Sequence, residues 1–109
     1  MKQITIVALG LVSMALAMPA VAAPGNAAKG KDKSATCVAC HGADGNSPTA
    51  MFPRIAGQHE DYLNQALKAY KSGTRKNEVM KGIVAPLSAQ DMADLAAYFA
   101  SQKGLEIKR

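Results

Sequence analysis

The clearest periodicity lies near the end of the chain. Met92, Leu95, Ala96 and Phe99 recur at intervals of three and four, which predicts a helix with one apolar face. Ser88-Ala89-Gln90-Asp91 precedes it in the form of a capping box, with Asp in place of Glu, and Gly104 lies past its end. A second stretch, about Glu60 to Ser72, puts Leu63, Ala66, Leu67 and Tyr70 on one face and can end at Gly73. From Asn26 to about Val38 the chain is rich in Ala and Lys and free of Pro, which predicts a helix with Asn26 as N-cap. Gly30 falls inside it. Glycine in a helix costs about 1 kcal/mol relative to Ala, so either it is tolerated or another element packs closely over it. Between Gly73 and Pro86 only a short helical turn is expected, around Val79 to Val84. Alternation with period two is weak everywhere, and the domain reads as all-α.

The start of the chain follows a different rule. Lys2 is followed by an uncharged, mostly apolar run from Ile4 to Met18, then by Pro19-Ala20-Val21-Ala22-Ala23. A positive start, an apolar centre and an A-x-A end describe a secretory leader. The run is short for a membrane span, which needs about 20 residues. Residues 1–22 are therefore expected to be a signal peptide, cut after Ala22, with no stable membrane insertion afterwards. Residues 23–109 are left as one small domain, expected to act as a monomer.

Such a domain buries a marginal core and usually needs a staple. This core is thin: the chain has no Trp, two Phe and three Tyr. A large flat cofactor at the centre would make up the deficit. Gly42 to Gly57 is loop-like, with Gly45, Asn46, Ser47, Pro48 and Pro53. A loop of that length is long for a compact domain unless it has a function, and wrapping a cofactor would keep it ordered.

The net charge of +5 is a modest basic excess, reduced by one when Lys2 leaves with the leader. It can steer the protein toward acidic partners. No basic stripe interleaved with aromatics is present, so nucleic acid is excluded as a partner. Lys29, Lys31 and Lys33 are expected to form a solvated face. No large exposed apolar patch is evident.

Both cysteines lie in "CVACH", as Cys37 and Cys40, with His41 directly after them. A thioredoxin-like dithiol would need a βαβ frame, which the pattern lacks. A structural disulfide across two residues closes a tiny loop and leaves His41 unexplained. Zinc needs four ligands. His59 is the available fourth, but adjacent Cys40 and His41 suit one tetrahedral ion poorly. Covalent haem uses all three residues at once. Two thiols add to two vinyl groups, and the next residue offers its imidazole to the iron. Export agrees with this, because attachment occurs outside the cytoplasm.

With His41 as proximal ligand, the sixth position has four candidates: Met51, Met80, Met92 and His59. Met92 belongs to the apolar face of the last helix. Met51 precedes Phe52-Pro53, a segment expected to cover the His41 side and to offer the Pro53 carbonyl to the other imidazole N–H. His59 precedes a helix, where a capping or solvated role is commoner. Met80 lies in a segment poorly explained as core. It is the expected ligand, since His/Met ligation suits electron transfer.

Residues 26–104 resemble a class I cytochrome c of the small bacterial kind, occurring singly or as one half of a tandem dihaem cytochrome of the c-four type. The stretches that carry the resemblance are "AAKGKDKSATCVACHGADGN", "FPRIAGQHEDYLNQALKAYKSGTR" and "LSAQDMADLAAYFASQ". The resemblance implies an all-α cytochrome c fold of four to five helices around one haem c, bound through Cys37 and Cys40. It implies His41 and Met80 on iron, Pro53 supporting the histidine and Arg75 near a haem propionate. It also implies a crossing of the first and last helices near Gly30 and Phe99.

Three functions compete. The first is a diffusible periplasmic electron carrier without enzymatic activity, its docking steered by Lys76 and Lys81. By resemblance its donor would be a quinol-oxidising complex and its acceptor a terminal oxidase or other reductase. The second is a cytochrome subunit of a periplasmic dehydrogenase. The third is a haem-based sensor or peroxidase-like enzyme, which requires an open sixth position that Met80 would close.

Overall fold

Asn26, Asn77 and Ser88 each start a helix in the computed structural model, which describes residues 2–15 and 22–106. Among the described residues there are five helices and no strand. They are α1 (Ala27–Lys33), α2 (Ala35–His41), α3 (Glu60–Ser72), α4 (Glu78–Val84) and α5 (Ala89–Ala100). Residues 2–15 have no regular structure and expose Ile4, Leu9 and Leu11. Residues 16–21, which hold most of the expected cleavage motif, lie outside the described residues. No helix among the described residues is long and apolar enough to cross a membrane.

The single helix expected from Asn26 to Val38 is instead two. Asn26 does cap α1, its side chain accepting the Lys29 N–H. The break comes at Ser34, whose hydroxyl donates to the Lys31 carbonyl at 2.7 Å. Serine competes with the backbone for its own helical acceptors, and the chain restarts as α2. That restart carries the helix on to His41, past the expected end.

Expected and observed limits of α3 coincide, with Gly73 in the left-handed conformation at φ 84°. The Ser88–Asp91 capping box is present at α5. The turn expected at Val79–Val84 is a full short helix, because the Asn77 side chain accepts the Met80 N–H at 3.0 Å and starts it earlier.

Every residue of α5 from Met92 to Phe99 is buried, because the helix packs against α1 on one side and α3 on the other. Leu63, Leu95, Ala96, Tyr98 and Phe99 form the core, with Cys37, Ile55, Leu67, Leu87 and Ala100 against it. The crossing with α1 lies at Gly30 as expected, against Asp94 and Tyr98, the residue next to Phe99. A Cβ on Gly30 would run into the Asp94 carbonyl and come 2.7 Å from the Tyr98 Cβ.

Asp94 is fully buried in the midst of this apolar face. Its carboxylate accepts from Lys33 Nζ at 2.7 Å, from the Asn26 N–H at 2.9 Å and from Gln90 Nε2 at 3.0 Å. These bonds, the Lys33 one foremost, hold its pKa down at about 2. Lys33 also pairs with Asp91 at 2.9 Å. Of the three lysines expected on a solvated face, only Lys29 and Lys31 are exposed.

The long loop after α2 is ordered by backbone hydrogen bonds. Ile55 N donates to the Gly45 carbonyl at 2.8 Å and Gly57 N to the Phe99 carbonyl at 2.9 Å. Tyr98 Oη donates to the Ala43 carbonyl at 2.7 Å. Gly45 has φ 84°, and a Cβ there would lie 2.9 Å from the Phe99 ring. Only glycine serves both demands.

Candidate functional site

Cys37, Cys40 and His41 share one face of α2, at the i, i+3, i+4 spacing that brings helical side chains together. The two cysteines are half-buried free thiols, and His41 is buried. Burial pushes the Cys37 thiol above its ordinary pKa. That is opposite to the activated thiolate a disulfide-exchange centre needs.

His41 Nδ1 donates to the Pro53 carbonyl at 2.8 Å. A carbonyl oxygen only accepts, so the proton is on Nδ1 and the Nε2 lone pair is free to ligate. The loop thus reaches α2 at the point expected from the sequence.

The α2 face opens into a cavity of about 440 Å³, a volume suited to a sizeable, mostly apolar ligand. Leu63 and Leu67 of α3 and Leu95 and Phe99 of α5 supply its apolar wall. Met80 and Ile83 of α4 line it as well, and Met51, Arg54 and Arg75 stand among its lining residues. The cavity therefore gathers Cys37, Cys40, His41, Pro53, Arg75 and Met80. It does not include His59 or Met92. Met92 is buried in α5, and His59 lies at the start of α3 without a side-chain capping bond.

Arg75 is exposed and held from two sides. Its Nη1 donates to Tyr62 Oη at 3.1 Å, and its guanidinium lies 5.0 Å from the centre of the Tyr70 ring. The Tyr62 hydrogen bond raises its already high pKa, and the cation–π contact adds to its anchorage. Sequence reasoning passed over Arg54. It follows Pro53 directly and so shares the loop tied to His41, which was the available signal. Asn77 was also passed over, although Asn one residue before a helical turn is an N-cap signal. An apolar surface the pattern did not reveal is present here: Met51 is 82% exposed, Val79 66% and Tyr62 45%, all three among the lining residues.

No three His, Cys, Asp or Glu side chains among the described residues converge on a metal-sized site, so the zinc arrangement has no support. Two thiols, a free imidazole nitrogen and a thioether, set in one apolar cavity with two arginines, fit haem c.

The sequence model of the Cytochrome c family matches residues 27–103. The chain belongs to the cytochrome c family. Cys37, Cys40 and His41 of this cytochrome fit a C-x-x-C-H motif, and its cofactor is covalently bound haem c. Its five helices are the all-α fold that goes with it.

Cytochrome c4 of Pseudomonas aeruginosa is 50% identical over 98 residues, covering 90% of this chain and 46% of that protein. The crystal structure of reduced recombinant cytochrome c4 from Pseudomonas stutzeri superposes with a TM-score of 0.71 at 49% identity. That match covers 74% of this chain and 47% of the other. A thiosulfate dehydrogenase electron acceptor of Thiomonas intermedia is 44% identical over 72 residues, 65% of this chain and 33% of that protein. This cytochrome thus spans about half the length of the cytochrome c4 relatives it matches.

Proposed function

We propose that this cytochrome is a periplasmic electron carrier whose haem c is ligated by His41 and Met80. The observation that carries the reading is that His41, fixed by Pro53, and Met80 of α4 line one apolar cavity. When bound, haem c supplies a one-electron ferrous/ferric couple.

The chain's own groups do the rest. Cys37 and Cys40 would hold the group by two thioethers. Pro53 keeps the His41 ring turned with Nε2 toward the cavity, and that hydrogen bond makes the imidazole a stronger donor. A thioether in the sixth position favours the ferrous form and raises the potential. With His41 and Met80 both ligating, no position on the iron would be left for substrate, which supports a carrier over a sensor or enzyme. Arg75 and Arg54 are the groups we assign to the propionates. Exposed Met51, Val79 and Tyr62 form a small apolar rim, with Lys76 and Lys81 nearby in sequence to steer a brief encounter.

Export through the leader, residues 1–22, would place the protein in the periplasm as a monomer. The family resemblance supports a quinol-oxidising complex as donor and a terminal oxidase or other reductase as acceptor. A second reading, service to a periplasmic dehydrogenase, is favoured by the relative named as an electron acceptor of thiosulfate dehydrogenase. Co-purification separates the two: a partner that survives high salt would replace the free carrier with a subunit.

The testing experiment is an optical spectrum of the matured protein, oxidised and reduced, extended into the far red. A c-type spectrum that survives denaturation, with the weak ferric sulfur-to-iron band, is expected. A c-type spectrum without that band would remove Met80 from the iron. Absence of haem would overturn the whole reading.

A further inference from the structure

We propose that the fold carries a cradle for its own mature amino terminus. The α-ammonium of Ala23, freed when the Ala22–Ala23 bond is hydrolysed, is held by the Gln90 side chain beside the Asp94 carboxylate. This rests on the reading that the leader is removed.

The cradle is built before the cut. Ala23 N donates to Gln90 Oε1 at 2.8 Å, and Gln90 Nε2 donates back to the Ala23 carbonyl at 3.3 Å. Gln90 Nε2 also reaches Asp94 Oδ1 at 3.0 Å, which accepts the Asn26 N–H at 2.9 Å. Between these points Gly25 lies on the Ala93 carbonyl, where a Cβ would also meet Ala97 Cβ at 2.9 Å. Residues 23–26 therefore run along Gln90, Ala93, Asp94 and Ala97, one face of α5. Asn26 alone is enough to cap α1, so the two-point grip on Ala23 is unexplained by helix formation.

Hydrolysis adds water across the peptide bond. A carboxylate leaves with Ala22 and an ammonium stays on Ala23. One N–H donor becomes three, and the bond to Gln90 Oε1 becomes charge-assisted and stronger. Ala23 also lines a groove shared with Glu60 and Asp61, and with His59 and Lys68. Lys33, the nearest competing cation on α1, is already paired with Asp91 and Asp94. A cut one residue later would delete both Gln90 bonds and begin the chain at Pro24.

The test uses the exported, haem-loaded protein. Its intact mass is expected to start at Ala23. A start at Pro24 or Gly25 overturns the cradle but not leader removal, and a retained leader overturns both. Thermal melts then form a cycle between Gln90→Leu and a glycine inserted after Ala22, its mature start verified by mass. The insertion is expected to lower the melting temperature of the parent and to have little effect in the Gln90→Leu background. Additive losses overturn the cradle, because groups that do not interact show no coupling.

Discussion

The peptide carbonyl of Asp94 lies directly on the α-carbon of Gly30. At this contact the backbones of α1 and α5 touch with no side chain between them, and Asp94 reaches back to hold Lys33 and Asn26 on α1. Gly30→Ala tests the contact. Alanine would gain about 1 kcal/mol in helix propensity, but its methyl overlaps backbone, and overpacking costs about 1–3 kcal/mol. Neither backbone can retreat while Asp94 binds α1. A net loss of stability is expected in denaturant titration of the haem-loaded protein, and a stabilised variant would contradict the close crossing.

Asp94 makes a buried carboxylate part of the fold's acid stability. Its folded pKa, about 2, is below the ordinary aspartate value of about 3.9. The stabilisation is full above the unfolded value and is lost as pH falls through the folded one. The stability advantage of the parent over Asp94→Asn is expected to be constant above about pH 4 and to shrink toward zero as pH falls through about 2. A difference between the two that ignores pH would show that Asp94 does not act as a charge.

Asn77 connects helix capping to the proposed iron ligand. Its side chain accepts the N–H of Met80 itself. Asn77→Ala is expected to cost about 1 kcal/mol, the usual value for a lost N-cap, and to speed amide exchange across Glu78–Val84. Asn77→Ser should restore both. Unchanged exchange in the alanine variant would mean that α4 is held by packing alone.

Met80→Ala is the direct test of axial ligation. The variant is expected to lose the far-red sulfur-to-iron band, to gain carbon monoxide binding in the ferrous form and to have a lower reduction potential. Met51→Ala, at the other methionine of the cavity, is expected to leave all three unchanged. The reverse pattern would move the ligand to Met51.

What the sequence disclosed was local. Capping at Asn26 and Ser88, the stop at Gly73 and the motif at Cys37–His41 depend on residues within a few positions of one another. Ser34 was missed because an Ala- and Lys-rich run has no visible break until the serine hydroxyl is seen to take the Lys31 carbonyl. Asp94 was missed for a different reason. It interrupts the face read from Met92, Leu95, Ala96 and Phe99, and a carboxylate there reads as solvent-facing until α1 brings Lys33 and Asn26 to it. In the site, the motif brought forward Cys37, Cys40 and His41, and elimination among the other candidate ligands brought forward Met80. Arg54 needed the folded loop to bring it into the cavity lining.

The contact of α1 with α5 also bears on how the chain closes. The bond from Asn26 to Asp94 joins residues 68 apart, and Cys37, Cys40, His41, Pro53, Arg75 and Met80 all lie between them. Closing so long a loop carries an entropic cost that rises only slowly with length, about 0.6 kcal/mol per doubling. Once closed, it encloses every residue proposed to bind the haem or its iron, while Leu95 and Phe99 of the cavity wall follow it. Loosening that junction would relax the His41 side and the Met80 side together, so the two proposed axial groups share a mechanical tether.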